Sequence, residues 1–489
     1  MLPLLFSTGR GAAQPGVSAS RLLLQGGLTA YALAVIALVL AVRMSLGFEF
    51  PIPWNDESAF IAQAFEFSQT GSLYVWGLNQ ERLVMWMPPG YMLVLAGLYQ
   101  LFGYSFELSR WLSCLLYIGS FLLVLEMLQH QVRGRWRLLA LGFALVAFLS
   151  PYGLAMSNIA RMESLYVLLF LLALRASLHA KPVLALALVL IAATVHFNAV
   201  YFLLPTAVLV GWTLVRRESL VVGPGELLAL LVAFLALVAY GLFVIKHIDG
   251  FWQDMRFQFD FKLGAPVLGG RPGWLLLGAL ALLVAAQLAV HRRLGPPVLL
   301  SLYGIAFIAM ALNGHSMWYD FAYPFGFLLL LAGVLAGMSD CVARAARLAG
   351  VLVLCTLAWQ LGHYAWRQTP QFAPLIANVG TFPKRFLPAE DVQRVKAFIA
   401  TLPANSSVSF GYSGVEPFFF GDLAKVGARW SIPGHSVVQV FPPRTLDYRV
   451  LCDSALYPGY LFAYDWDGYP RTGHDLGCRI IPLAQKPAP

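Results

Sequence analysis

Gly90-Tyr91-Met92-Leu93-Val94-Leu95-Ala96-Gly97-Leu98-Tyr99-Gln100-Leu101-Phe102 is an apolar run, broken only by Gln100, that stands between Pro88-Pro89 and Gly103. It falls well short of the about 20 residues that cross a bilayer as a helix. Its placement decides on which side of a membrane every later segment lies. If the run crosses, the cluster Arg133, Arg135 and Arg137 beyond the next apolar block falls outside. If it lies flat in the interface, the cluster falls inside, where short loops gather Lys and Arg. We read it as interfacial.

The blocks on either side then alternate. The first, 22–46, follows Arg10 and Arg21 and ends in no small-residue cleavage site, which reads as an uncleaved anchor with its N-terminus inside. Blocks 110–130, 138–157, 163–178, 182–197, 199–215, 226–245, 273–290, 297–313, 321–338 and 348–366 bring the expectation to eleven spans. Inside turns carry Arg133/Arg135/Arg137, Arg175/Lys181, Arg216/Arg217, Arg292/Arg293 and Arg344/Arg347, and outside turns comprise the segments around Arg161, 246–272 and 314–320. Blocks between 158 and 215 are short enough to be broken or half-spanning helices.

Composition agrees with this layout. Of 489 residues, 59% are apolar and 12% charged, with a mean hydropathy of +0.71; soluble domains carry roughly 25% charged residues. A soluble enzyme is excluded. The net charge of +9 resides in short clusters between apolar blocks, as orientation of cytoplasmic loops requires, so nucleic acid is not an expected partner.

The expected fold class is therefore an all-α polytopic membrane domain over 1–366, with about 11 transmembrane helices plus interfacial helices and a first outside loop at 47–108. A soluble C-terminal α/β domain follows at 367–489, outside because the span count is odd. In it, Ser407–Tyr412 and Val437–Phe441 alternate like strands, and Lys384–Leu402 has helical periodicity with an acidic first turn. Cys452 and Cys478 are the cysteines of that compartment, and both a disulfide and two free thiols are open.

Several polar residues stand out against the apolar background. Asp56-Glu57 lies just beyond the first span, and adjacent carboxylates there can bind a metal, act as a general base, or simply solvate the interface. Glu163 abuts an apolar block, where an ionised group is costly; its readings are a functional carboxylate or the partner of Arg161. Arg161, Arg256, Lys262 and Arg271, with His196, oppose the positive-inside bias locally. Phosphate binding explains them, as do contacts with anionic headgroups. His315 and Tyr319, in the turn before Pro324, belong to an aromatic belt facing the same compartment as the carboxylates.

Taken in order, Asn55-Asp56-Glu57, Pro88-Pro89-Gly90-Tyr91 with Leu101-Phe102-Gly103 and Arg110, Arg161-Met162-Glu163, Gly270-Arg271-Pro272-Gly273-Trp274, and Tyr319 with Pro324 resemble the polyprenyl-phosphate-dependent GT-C glycosyltransferases. The likeness is to the group containing lipid A aminoarabinose transferases and protein O-mannosyltransferases, and it covers roughly the first 330 residues. It implies a multi-pass enzyme of a bacterial inner membrane, with its active site and C-terminal domain extracytoplasmic. The implied reaction moves a sugar from a polyprenyl phosphate to an envelope glycolipid, polysaccharide or protein, with inversion.

By this resemblance Asp56 is the essential first-loop carboxylate, Glu163 stands where a second carboxylate is usual, and Arg271 reaches the donor phosphate. Trp86-Met87 replace the Glu-Lys pair of aminoarabinose transferases, so no obligatory cofactor is expected, while a divalent cation at Asp56, Glu57, Glu163 and His315 stays open. The rival readings are a transporter or flippase of lipid-linked sugars, which would carry ionisable residues near the midplane, and an envelope scaffold.

Overall fold

A computed structural model describes residues 19–46, 55–79, 81–134, 136–149, 157–216, 222–263, most of 277–289, 294–313, 322–340, 389–410, 416–431, 446–453 and 477–482. The described chain is mostly helical. Its helices are α1 (Ala19–Leu46), α2 (Asn55–Thr70), α3 (Gly90–Phe102), α4 (Phe106–Gln131), α5 (Trp136–Phe148), α6 (Glu163–Leu178), α7 (Pro182–Ala193), α8 (Val200–Val215), α9 (Pro224–Lys246), α10 (Ile248–Leu263), α11 (Pro296–Asn313), α12 (Ala322–Asp340), α13 (Ala389–Ala400) and α14 (Phe420–Lys425).

Among the described residues, 3 helices are long and apolar enough to cross a bilayer: Phe106–Gln131, Phe197–Val215 and Pro224–Lys246. Shorter apolar helices surround them, including Trp136–Phe148, Pro182–Ala193, Pro296–Leu312 and Pro324–Gly337. Of the α9 residues, Ala233 is buried, while Leu227, Leu228, Phe234, Leu235 and Leu242 point outward. Exposed leucine at this density is expected where hydrocarbon replaces water as the solvent.

The block read as 182–197 ends sooner than its hydropathy implies. Helix α7 stops at Ala193, and His196, in an extended conformation with φ −155, caps the short 3₁₀ turn Phe197–Ala199 that leads into α8. The polar residues at this break, Thr194, His196 and Asn198, are isolated among apolar neighbours, so the average hydropathy runs past it.

Ion pairs mark two ends of the bundle. Arg110, near the start of α4, meets Glu57 of α2 at 2.7 Å. Near the far end of α4, Glu126 meets Arg175 of α6 at 2.6 Å, and Lys181 before α7 meets Glu226 at the start of α9 at 3.4 Å. Helices α4 and α6 therefore run parallel and pack against each other, and α5 is the returning helix that stands between them in the sequence.

Two close approaches fix the packing. Gly90, at the first turn of α3, donates its N–H to Thr194 O at 2.7 Å, and a Cβ there would stand 2.5 Å from that oxygen. A Cβ on Gly304 of α11 would lie 2.8 Å from Gly326 O of α12, so these helices touch backbone to backbone, as small residues permit within lipid.

Beyond residue 388, four strands, β1 (Ser407–Ser409), β2 (Arg429–Ser431), β3 (Tyr448–Asp453) and β4 (Gly477–Pro482), form a sheet ordered β2-β1-β3-β4. β1 pairs in parallel with β2 and β3, and β3 pairs antiparallel with β4. That register sets Cys452 opposite Cys478, and Cys478 is disulfide-bonded. The strand expected at 437–441 lies outside the described residues.

Aromatic rings join this sheet region to the first loop. Phe106 meets Phe418 edge-on at 4.7 Å, Phe65 faces Phe420 and Trp430 at 6.2 Å each, and the Tyr104 hydroxyl donates to the Pro417 carbonyl. The sheet region and the loop thus occupy the same end of the bundle.

Candidate active site

Helix α2 opens with Asn55-Asp56-Glu57, which sets two carboxylates at the positive end of a helix dipole and points them in different directions. Glu57 turns inward. Its two oxygens accept from Arg110 Nε and Nη2 at 2.9 and 2.7 Å, and Oε1 also accepts from the Ala160 N–H at 2.7 Å. Both side chains of the pair are fully enclosed, and the Arg110 guanidinium covers the Phe106 ring at 4.5 Å.

Asp56 lies toward the outside of the cluster. Its Oδ2 accepts from Arg161 Nη1 at 2.6 Å. The remaining edge of the same guanidinium faces Glu163, with Nε at 3.2 and 3.1 Å from its two oxygens and Nη2 at 2.9 Å from Oε1. Side-chain exposure rises along this chain, from 0% at Glu163 to 5% at Arg161 and 25% at Asp56. Burial works against the Arg161 charge, but the adjoining carboxylates of Glu163 and Asp56 more than offset it and hold the guanidinium above its usual range. The cluster therefore brings together three carboxylates and two guanidinium groups, leaving one negative charge in excess.

Aromatic rings support the cluster from beneath. Phe60, one turn after Asp56, lies under Arg161 at 5.7 Å and stacks on Trp86 at 4.6 Å with the rings 2° from parallel. Trp86 and Gln63 are joined at 3.4 Å, and Tyr91 meets Phe60 edge-on at 6.3 Å. Burial pushes the Tyr91 hydroxyl well above its ordinary range, and the carboxylates of Glu57 and Glu163 add to the shift, so Tyr91 is held as a neutral phenol.

A second connection links the first loop to α10. Asp254 accepts from Arg82 Nη1 and Nη2 at 2.9 and 2.7 Å and from the Met85 N–H at 2.6 Å, and is only 1% exposed. This clamp carries α10, with Arg256 and Lys262, to the end of the bundle that holds Asp56. Sequence reading passes over Asp254 because a carboxylate in a basic outside segment looks like ordinary solvation. The one signal was Arg82, an outside arginine that needed a partner. Arg110 shows no local sign of its pairing, its partner being 53 residues away.

Of the other expected site residues, His196 is buried; its Nδ1 accepts from the Asn198 N–H at 2.9 Å, and its ring lies 5.0 Å from that of Tyr166. Arg256 is exposed, and Lys262 belongs to the last turn of α10. Arg271, His315 and Tyr319 lie outside the described residues.

No family model and no curated protein matches the chain. Among solved structures it is similar to the crystal structure of ArnT from Cupriavidus metallidurans in the apo state. The two are 15% identical, and the match covers 87% of this chain and 93% of that one with a TM-score of 0.45. A likeness this loose leaves the site to be read from its own residues.

Proposed function

We propose that this chain is an integral membrane glycosyltransferase of the GT-C type. On this reading it has about eleven spans, lies in a bacterial inner membrane, and takes a sugar from a polyprenyl phosphate to an envelope glycolipid, polysaccharide or protein on the outer face. One observation carries the reading: Asp56 is a water-reaching carboxylate held by a buried cation at one end of an apolar helical bundle.

In this mechanism Asp56 accepts the proton of an acceptor hydroxyl as its oxygen attacks the anomeric carbon from the face opposite the leaving group. The bond from that carbon to the phosphate oxygen breaks, and the polyprenyl phosphate departs with the electron pair. Arg271, together with Arg256 and Lys262 on the clamped helix α10, stabilises the charge that develops there. Glu57 serves as a positioning group through Arg110, and His315 and Tyr319 are assigned to substrate binding.

A transporter is disfavoured by charge placement. The charged residues of α4, α6 and α9 stand toward the helix ends, whereas a translocation path requires them near the midplane.

The test uses purified full-length protein in lipid nanodiscs. Mass spectrometry of the copurified lipid is expected to find a polyprenyl phosphate, and Asp56→Asn is expected to lower transfer by roughly 10²–10⁴-fold with donor retention unchanged. Turnover at the wild-type level in Asp56→Asn would remove the base assignment.

A further inference from the structure

A divalent cation is the partner that the resemblance leaves open for Asp56, Glu57, Glu163 and His315, but the three of these that the structure describes, the carboxylates, do not fit one. A hard cation needs several oxygen ligands at about 2.0–2.6 Å. Both oxygens of Glu163 face Arg161, both oxygens of Glu57 face Arg110, and Asp56 Oδ2 receives Arg161 Nη1. Among the described residues, no group of three or more His, Cys, Asp or Glu is placed to hold an ion.

What occupies the space between the carboxylates is a planar cation held along its donor edges and over one face. Two donors on one edge of Arg161 engage Glu163, a third turns to Asp56, and one face rests over Phe60, which is itself backed by Trp86. A lysine cannot reproduce this, since its ammonium is a single point and lacks a rigid fork.

Building on the proposed transfer, we propose that Arg161 is the built-in cation of this site: it bridges Asp56 and Glu163 where a divalent ion would otherwise sit, positions the Asp56 carboxylate for the acceptor, and makes transfer independent of metal. Glu163 holds Arg161, and Arg161 holds Asp56, so orientation passes from the enclosed end of the chain to the water-reaching one. Arg161 is a positioning residue on this account, and donor phosphate is left to the cations of α10 and to Arg271.

Two measurements on the full-length protein test it. The first is a Mn²⁺ titration followed by electron paramagnetic resonance, which needs no substrate. Wild-type protein is expected to leave the free Mn²⁺ signal undiminished, and uptake of one ion per chain that disappears in Asp56→Asn would overturn the proposal.

The second is steady-state transfer in EDTA. Arg161→Lys is expected to lower kcat by roughly ten- to a hundredfold with donor KM unchanged, the size of a lost charge-assisted contact. Arg161→Gln is expected to move the acid limb of the pH profile to higher pH, because a carboxylate that loses its cation protonates more easily. A rise in donor KM with kcat intact in Arg161→Lys would assign the residue to phosphate and sink the bridge. A protein that transfers no sugar yet takes up no Mn²⁺ would refute the proposed function and leave the bridge standing; one that transfers sugar and binds Mn²⁺ through Asp56 would do the reverse.

Discussion

Removing one carboxylate of an enclosed ion pair strands the opposite charge away from water, and at Glu57 that cost outweighs any catalytic effect. Arg110 has no exposure, so Glu57→Gln leaves its guanidinium beside a neutral amide. Breaking such a pair costs about 3–5 kcal/mol, whereas replacing both partners by apolar side chains of similar volume is often neutral. The expected outcome is a large fall in thermal midpoint and yield for Glu57→Gln, measured on detergent-solubilised protein, with much of both restored in Glu57→Met/Arg110→Leu. A double variant as unstable as the single one would show that the pair specifies the local structure and is not merely tolerated. Asp56, one residue earlier and water-reaching, should by contrast tolerate amidation with little loss of stability, which separates the two adjacent acids experimentally.

Among the elements, α10 has the most distinctive attachment. It follows α9 after a short break at His247 and is tied to the first loop by Asp254, whose carboxylate holds both Arg82 and the Met85 N–H. Because Arg82 and Asp254 act on each other, Arg82→Ala and Asp254→Ala should be strongly non-additive, with a coupling of roughly 0.5–3 kcal/mol. Hydrogen exchange over 248–263 is the suitable measurement. Each single variant should raise exchange there, and the double variant should raise it little further. Simple additivity would mean that α10 is held by its apolar contacts and that the pair is incidental.

At the scale of the molecule, the helical character and the grouping of charged residues at block ends were legible in the sequence, because lipid enforces both and leaves few alternatives. Asp56, Glu163 and Arg161 stood out for the same reason, each being charged and next to hydrocarbon-length apolar runs. The pairings Glu57–Arg110 and Arg82–Asp254 were not legible, since partners 53 and 172 residues apart leave no periodic trace. Nor was the early end of α7, because the polar residues there, Thr194, His196 and Asn198, are isolated among apolar neighbours. Sidedness is open to direct measurement. A reporter fused after Arg137 is expected to be active inside and one fused after Trp366 outside, and an outside Arg137 would mean that α3 crosses the membrane.

The aromatic seam between the first loop and the sheet region also constrains how the protein is made. Tyr104 and Pro417 are 313 residues apart, and at ribosomal rates of about 5–20 residues per second the loop waits roughly 15–60 s for its covering surface. During that interval Phe65, Tyr104 and Phe106 are already translated and presented without their partners, a nascent apolar face available to chaperones, to proteases and to neighbouring copies. The C-terminal residues therefore complete the first loop, and a chain cut before Phe418 would be expected to reach the membrane and be cleared from it.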